Sequence, residues 1–458
     1  MTDKMSAAAA RRKKQLTARH AAAAHHVTSV IGGAGVVDGA FPPPSISAAA
    51  NEGTIDPVRL RLDALLYDPT TLSREGVAYE ALQLAQSVVR RYVKAGSYDG
   101  ATNAAYTASL ALLAVGGRVA VCSQLLTVLV DALNETRTPP TADWTVRIAE
   151  LDDAHRRALN ADADMSPDER GRLQRLQLQF LRKVVKWSAD CGSIKYGIAE
   201  YHALLAEHAW RMSCDVTVVG DDGRGINKRE NNHVNVIDGE EDDDGDDGLD
   251  INLRNTAVTH YAFAGGENIT SILLDKLHSL PAPTSEEIAF NHTCPPNQRD
   301  ALLTRAVLVL LSIENLRDAT MLVRSYLSSI EGSPATGRTA EMLTRSYLDK
   351  TDGVAPSHVV FCCMLLRICE KDAKTAPLFT WLVRNFGNEL GTMVDADSIR
   401  AYTTRIGRVY FDIVPPPTMM SMMENMFSGG GMGGMPGGGM NPAAMMQAMQ
   451  AMQGGGRM

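Results

Sequence analysis

The sequence predicts an all-α fold, an irregular α-solenoid of tetratricopeptide-like helix pairs. Three observations predict it. Aromatic residues make up only 5% of the chain while Ala and Leu abound, a balance that favours helices over sheets. Apolar residues recur three or four apart in successive segments joined by short links, and alternating period-two stretches are almost lacking. A large residue placed just before Ala near a helix start recurs in "YEA" at 79–81, "GSYDGA" at 96–101 and "LRDA" at 316–319. That pairing lets adjacent helices of such repeats approach closely.

Residues 1–53 read as a disordered, basic, Ala-rich arm. Its start, "MTDKMSAAAARRKKQLTARH", has no apolar core after the basic cluster and so is not a secretory signal. An Ala- and Arg-rich composition faintly resembles a mitochondrial presequence, which Asp3 and the compact RRKK oppose. Residues 54–213 form the first half of the solenoid. In "REGVAYEALQLAQSVVRRYVKAGSY", Ala78, Leu82, Ala85, Val89, Tyr92 and Val93 share one face, and Gly96 is placed to end the helix. Ser97 is placed to cap the next one, which Gly116-Gly117 closes. "VCSQLLTVLVDAL", "TADWTVRIAELDDAHRRAL", "SPDERGRLQRLQLQFLRKVVKW" and "IAEYHALLAEHAWRM" follow, the third opened by Ser166 as cap and Pro167 in the first turn.

Composition then changes. Residues 214–256 read as a solvated acidic insertion, with nine acidic and no basic residues between Asp238 and Asp250. Helices resume through "NITSILLDKLHSL", "NQRDALLTRAVLVLLSIEN", "LRDATMLVRSYLSSI", "GRTAEMLTRSYL", "SHVVFCCMLLRICEKD", "APLFTWLVRNFGNELG" and "ADSIRAYTTRIGRVYFDIV", giving a second half at 257–417. Residues 418–458 form a Met/Gly-rich tail.

Several function classes drop out. The net charge of −8 sits almost wholly in the acidic run, so the body is near neutral and not a general nucleic-acid binder. No GxxxxGK[ST] loop is present, and "GGAGVVDG" at 32–39 puts Asp38 where a dinucleotide turn needs glycine. Centring a calcium loop on Gly245 or Gly248 puts Ile251 or Arg254 where a bidentate Glu is required. His202 and His208 are six apart, which is not metal-sharing spacing on one helix face. Seven scattered cysteines without a CxxC pair suit a reducing compartment, the cytosol, and Cys362-Cys363 lies in an apolar helix as a small hydrophobe. No eighteen-residue apolar run exists, so no stable membrane insertion is expected. The residues point to a scaffold with no catalytic group, metal or cofactor.

The tail holds thirteen of the chain's twenty-one methionines. In "NPAAMMQAMQAMQG", Met445, Met446, Met449 and Met452 share one helix face behind Asn441 and Pro442. Such a face adapts to varied apolar surfaces. It suits transient contact with hydrophobic client segments or docking on a partner, and low-complexity drift without binding produces the same composition.

Three stretches together resemble the Golgi-to-ER traffic protein four family, the small α-solenoid subunit of the transmembrane-domain recognition complex. They are "YEALQLAQSVVRRYVKAGSYDGA" (79–101), "VVKWSADCGSIKYGIAEYHALLA" (184–206) and "AYTTRIGRVYFDIVPPP" (401–417). The resemblance spans about 56–418. It implies a non-enzymatic cytosolic adaptor that helps target tail-anchored membrane proteins to the endoplasmic reticulum. It implies a P-loop targeting ATPase docked on the first half and a ubiquitin-like co-chaperone subunit held by the second. A tetratricopeptide co-chaperone then joins indirectly. Carried onto matching positions, it marks Arg90, Arg91, Lys94 and Tyr98 for the ATPase. It marks Arg405, Tyr410, Phe411, Pro415 and Pro416 for the ubiquitin-like subunit. Tyr79 and Tyr92 either pack between helices or join the first surface; Tyr410 and Phe411 are either core or anchors. The family follows its prolines with Lys-Gln, whereas Pro417-Thr418 stands here. A generic tetratricopeptide-like subunit of a proteasome lid or translation factor shares the solenoid, but its winged-helix signature is not seen between 350 and 418.

Overall fold

The computed structural model describes residues 56–115, 118–162, 165–219, 249–281, 299–331, 357–371 and 373–413. The N-terminal arm, Gly116-Gly117, the centre of the acidic stretch, "GRTAEMLTRSYL" and the Met/Gly tail lie outside them. Every regular element among the described residues is helical, as an α-solenoid requires.

Helix α1 (Pro57–Tyr67) starts where Asp56 caps it, the carboxylate accepting the Val58 N–H at 3.0 Å. A short α2 (Pro69–Leu72) starts the same way on Asp68. Then come α3 (Glu75–Lys94), α4 (Tyr98–Ala114), α5 (Val119–Glu135), α6 (Ala142–Ala161), α7 (Pro167–Cys191) and α8 (Ala199–Val219). Gly96 does end α3: at φ +74° it lets its own N–H reach the Val93 carbonyl and the Ser97 N–H the Tyr92 carbonyl. Ser97 occupies the cap position of α4, but its side chain makes no cap hydrogen bond. Its backbone, at φ −87° and ψ 70°, lies off the extended conformation that capping residues usually adopt. Ser166 behaves as expected, accepting the Glu169 N–H at 3.2 Å with Pro167 in the first turn.

The expected bounds of the acidic insertion need correcting. Helix α8 runs to Val219, and α9 (Leu249–Ala264) begins seven residues before 256. Leu253 and Asn255 are buried, so the packed period of α9 starts inside the polar stretch, where neighbouring acids mask it. The second half continues through α10 (Ile269–His278), α11 (Arg299–Ser312), α12 (Leu316–Glu331), α13 (Ser357–Cys369), a 3₁₀ turn (Ala373–Thr375), α14 (Ala376–Asn385), α15 (Gly387–Gly391) and α16 (Ala396–Phe411).

Packing follows the order of the chain. Helix α3 touches α4 and α5, α4 touches α5 and α6, α5 touches α6 and α7, and α6 touches α7 and α8. That neighbour-plus-one pattern is what stacked helix pairs produce. Helices α8 and α9, at the two ends of the acidic stretch, share the most extensive contact. A long-range return departs from the pattern: α16 folds back onto α11. Helix α11 is buried on every side from Asp300 to Ser312, which suits its nearly unbroken apolar run. Its Arg305 answers burial by donating to the Val394 carbonyl.

An aromatic ladder crosses the first half. Tyr106 meets Trp144 at 6.4 Å, Trp144 meets Trp187 at 6.2 Å and Trp187 meets Tyr201 at 6.0 Å between ring centroids. Trp187 is fully buried and donates its indole N–H to the Thr138 carbonyl at 3.0 Å. Ser188 accepts the Ile198 N–H at 3.1 Å. The "KWS" segment is therefore a packing joint between α7 and α8.

Candidate functional site

The basic residues of α3 fall on an exposed stripe. Tyr79, Gln83, Ser87, Arg90 and Lys94 stand three or four apart, so they stack along one helix face. Gln83, Gln86, Ser87, Arg90, Arg91 and Lys94 line a shallow depression there. Arg91 is less available than its neighbours: its Nη1 donates to Asp56 Oδ1 at 3.0 Å, tying the end of α3 to the cap of α1. Arg90 and Lys94 project into solvent. Tyr98 continues the surface beyond the turn and is 47% exposed. Of the two alternatives for the tyrosines, Tyr92 packs: its ring lies 3.0 Å from where a Cβ on Gly100 would sit. Tyr79 does not; it is 45% exposed and heads the stripe.

The C-terminal group is more inward than its sequence suggests. Phe411 is buried, stacked on Phe379 with centroids 4.7 Å apart. That corrects its reading as a partner anchor, because a ring in the core offers no surface. Tyr410 is half-buried, its hydroxyl is enclosed without a hydrogen-bond partner, and burial pushes its phenol well above the usual range. The Arg405 guanidinium lies 4.6 Å from the centroid of the Tyr196 ring, and burial lowers its pKa. Arg405 therefore clasps the α7–α8 link. Pro415, Pro416, Met445, Met446, Met449 and Met452 lie outside the described residues.

A surface that sequence reasoning missed lies on α14. Leu378 and Trp381, one turn apart, are 54% and 51% exposed, while Phe379 and Leu382 beside them enter the core. The signal was there: Leu378, Phe379, Trp381 and Leu382 make the helix apolar on two adjacent faces, and only one is needed for packing.

Among the described residues no group of His, Cys, Asp and Glu is placed to hold a metal ion. Burial raises the thiol pKa of Cys122 and Cys362 and pushes Cys369 up to about 12. No described helix is long and apolar enough to cross a membrane.

Comparison with known proteins decides the family. The family model described as Golgi to ER traffic protein 4 matches residues 95–429. The chain belongs to that family. Among curated relatives, Protein GET4 of Arabidopsis thaliana is 24% identical over 284 residues, covering 59% of this chain and 70% of the relative. A solved structure titled "Crystal structure of C. therm. Get4" aligns at 17% identity and a TM-score of 0.45, over 84% of this chain and 99% of that one. Membership carries a role in the guided-entry pathway for tail-anchored membrane proteins. The family match takes in Tyr98 and the C-terminal surfaces but starts just after Lys94, so the basic stripe of α3 precedes it.

Proposed function

We propose that this chain is a non-enzymatic cytosolic adaptor that bridges the P-loop ATPase carrying tail-anchored clients and a ubiquitin-like co-chaperone subunit. In this reading the tetratricopeptide co-chaperone is reached through the ubiquitin-like subunit. Supporting it most is the basic stripe of Arg90 and Lys94, flanked by exposed Tyr79 and Tyr98 at one end of the solenoid. Positive charge between two exposed aromatic rings suits a shallow acidic surface with an apolar rim. The ubiquitin-like subunit belongs on the second half, where Tyr410 and Arg405 reach the surface in part and Leu378 and Trp381 are each just over half exposed. The tail segment bearing Met445, Met446, Met449 and Met452 then touches the client's apolar segment during handover.

Purification from the native cells on an N-terminal tag tests the reading. Co-recovery of a ubiquitin-like protein and a targeting ATPase is expected, and reversing Arg90 and Lys94 should remove only the ATPase. Recovery of proteasome-lid or translation-factor subunits in their place would overturn it. Crosslinking to a tail-anchored client tests the tail separately: unchanged yield after Met445, Met446, Met449 and Met452 are replaced by Ser would remove it from the scheme.

A further inference from the structure

The exposed face of α14 lies where the tail leaves the body. Helix α16 ends with Asp412 in the left-handed region, at φ 54°. That turn sends the Ile413 N–H back to the Gly407 carbonyl at 3.1 Å. A Cβ on Gly407 would stand 3.1 Å from Phe379 Cε1 and 3.7 Å from Ile413 Cβ and Cδ1. Ile413, Gly407 and Phe379 are therefore in one small cluster, and Phe379 belongs to α14. The next face of α14 carries Leu378 and Trp381, each more than half exposed.

We infer that the first methionine segment of this chain's own tail, residues 419–427, docks on the Leu378–Trp381 face of α14 and covers it. Chain length permits it. Val414 to Thr418 is five residues, a reach of about 17 Å, and α14 with its ten residues is about 15 Å long. Residue 419 can therefore meet any point along the helix. Composition matches too. "MMSMMENMF" offers five methionines and a phenylalanine, side chains that fit an irregular apolar surface around an indole. Its one charge, Glu424, is opposite in sign to Arg384, which is exposed in the last turn of α14. The contact lies within this chain and does not depend on the partners proposed above, although its face is the one assigned there to the ubiquitin-like subunit. Its consequence is that any partner seated on this face must first displace the tail.

Trp381 supplies a direct readout. It is the exposed one of four tryptophans; Trp144, Trp187 and Trp210 are all buried. The difference between the full chain and its Trp381→Phe variant isolates the Trp381 emission. Docking predicts a blue-shifted emission with acrylamide quenching at least twofold below that of free indole. Replacing Met419, Met420, Met422, Met423 and Met426 by Ser in the full chain should red-shift it and restore quenching. A photo-crosslinker at Leu378 gives an independent measurement, and should capture a 419–427 peptide within the monomer. Identical emission in the two chains, or no tail peptide in the crosslink, overturns the inference. Protection that fades on dilution does so as well, since the cover is then a second copy.

Discussion

His202 and His260 meet nitrogen to nitrogen, their Nδ1 atoms 2.7 Å apart across the contact between α8 and α9. The Tyr196 carbonyl, 2.6 Å from His202 Nε2, can only accept, so His202 carries its proton on Nε2. His202 Nδ1 must then be the acceptor and His260 Nδ1–H the donor. Both rings are neutral in this arrangement. Burial pushes His202 down to about 4. Burial, then the nearby charges of His202 and Arg182, pushes His260 down to about 3. The unfolded chain binds these protons near pH 6.5, so stability is full above that value. It falls as pH drops from about 6.5 toward the folded values, by about 2 kcal/mol for each histidine between pH 7 and 5. Denaturant midpoints across this range should therefore fall less steeply in His260→Gln than in the parent chain. Equal slopes would remove the pair from the acid response. His155 and His358, also depressed by burial, contribute equally to both proteins and cancel.

The α3 stripe makes a prediction about rates. Arg90 and Lys94 are exposed, so reversing both to Glu should leave the fold intact while slowing association with an acidic partner by about tenfold at low salt. The two proteins should converge as salt screens the field, whose range is about 3 Å at 1 M. Arg91→Ala should act differently. It breaks the tie to Asp56, an exposed pair worth less than about 1 kcal/mol. Stopped-flow association over a salt series separates them, and a loss of binding that ignores salt would count against electrostatic docking.

The α7–α8 link predicts a structural penalty without a partner phenotype. Gly197 sits at φ +90°, and a Cβ there would lie 2.5 Å from Ser188 Oγ and 3.0 Å from the Val185 carbonyl oxygen. Gly197→Ala should cost about 1–3 kcal/mol. Trp187→Ala empties the centre of the aromatic ladder and should cost about 3–5 kcal/mol. Whatever variant protein stays folded should still recover the same partners. Selective loss of one partner at unchanged stability would make this segment a docking surface after all.

How far the sequence was legible follows from these places. Gly96 and Ser166-Pro167 were readable because each satisfies a backbone need set by local conformation. Helical period was readable wherever apolar residues recur on a polar background, as in α3. It failed at Leu253, where a dense run of acids adjoins the first packed turn of α9. Burial was harder. Phe411 and Trp381 look alike in sequence, each an aromatic on an amphipathic helix; only the return of α16 onto α11 and α14 decides that the first is core and the second surface. The His202–His260 pair depends on residues 58 apart and had no local signature.

Arg405 and Tyr196 provide the sharpest separation of packing from docking. The guanidinium lies 4.6 Å from the ring centroid, joining the last helix to the α7–α8 link across more than two hundred residues of chain. The same Tyr196 ring meets Phe263 at 5.4 Å, and its carbonyl holds His202, so one residue coordinates α8, α9 and α16. A partly desolvated contact of this kind is worth about 0.5–2 kcal/mol. Arg405→Ala and Tyr196→Leu should each destabilise by about that much, and the double variant by less than their sum. Arg405→Lys should recover part of the loss, since an ammonium keeps the charge but not the flat stacking. Chemical denaturation of the four proteins completes the cycle. Strict additivity, joined to loss of a partner in Arg405→Ala alone, would return Arg405 to the docking surface.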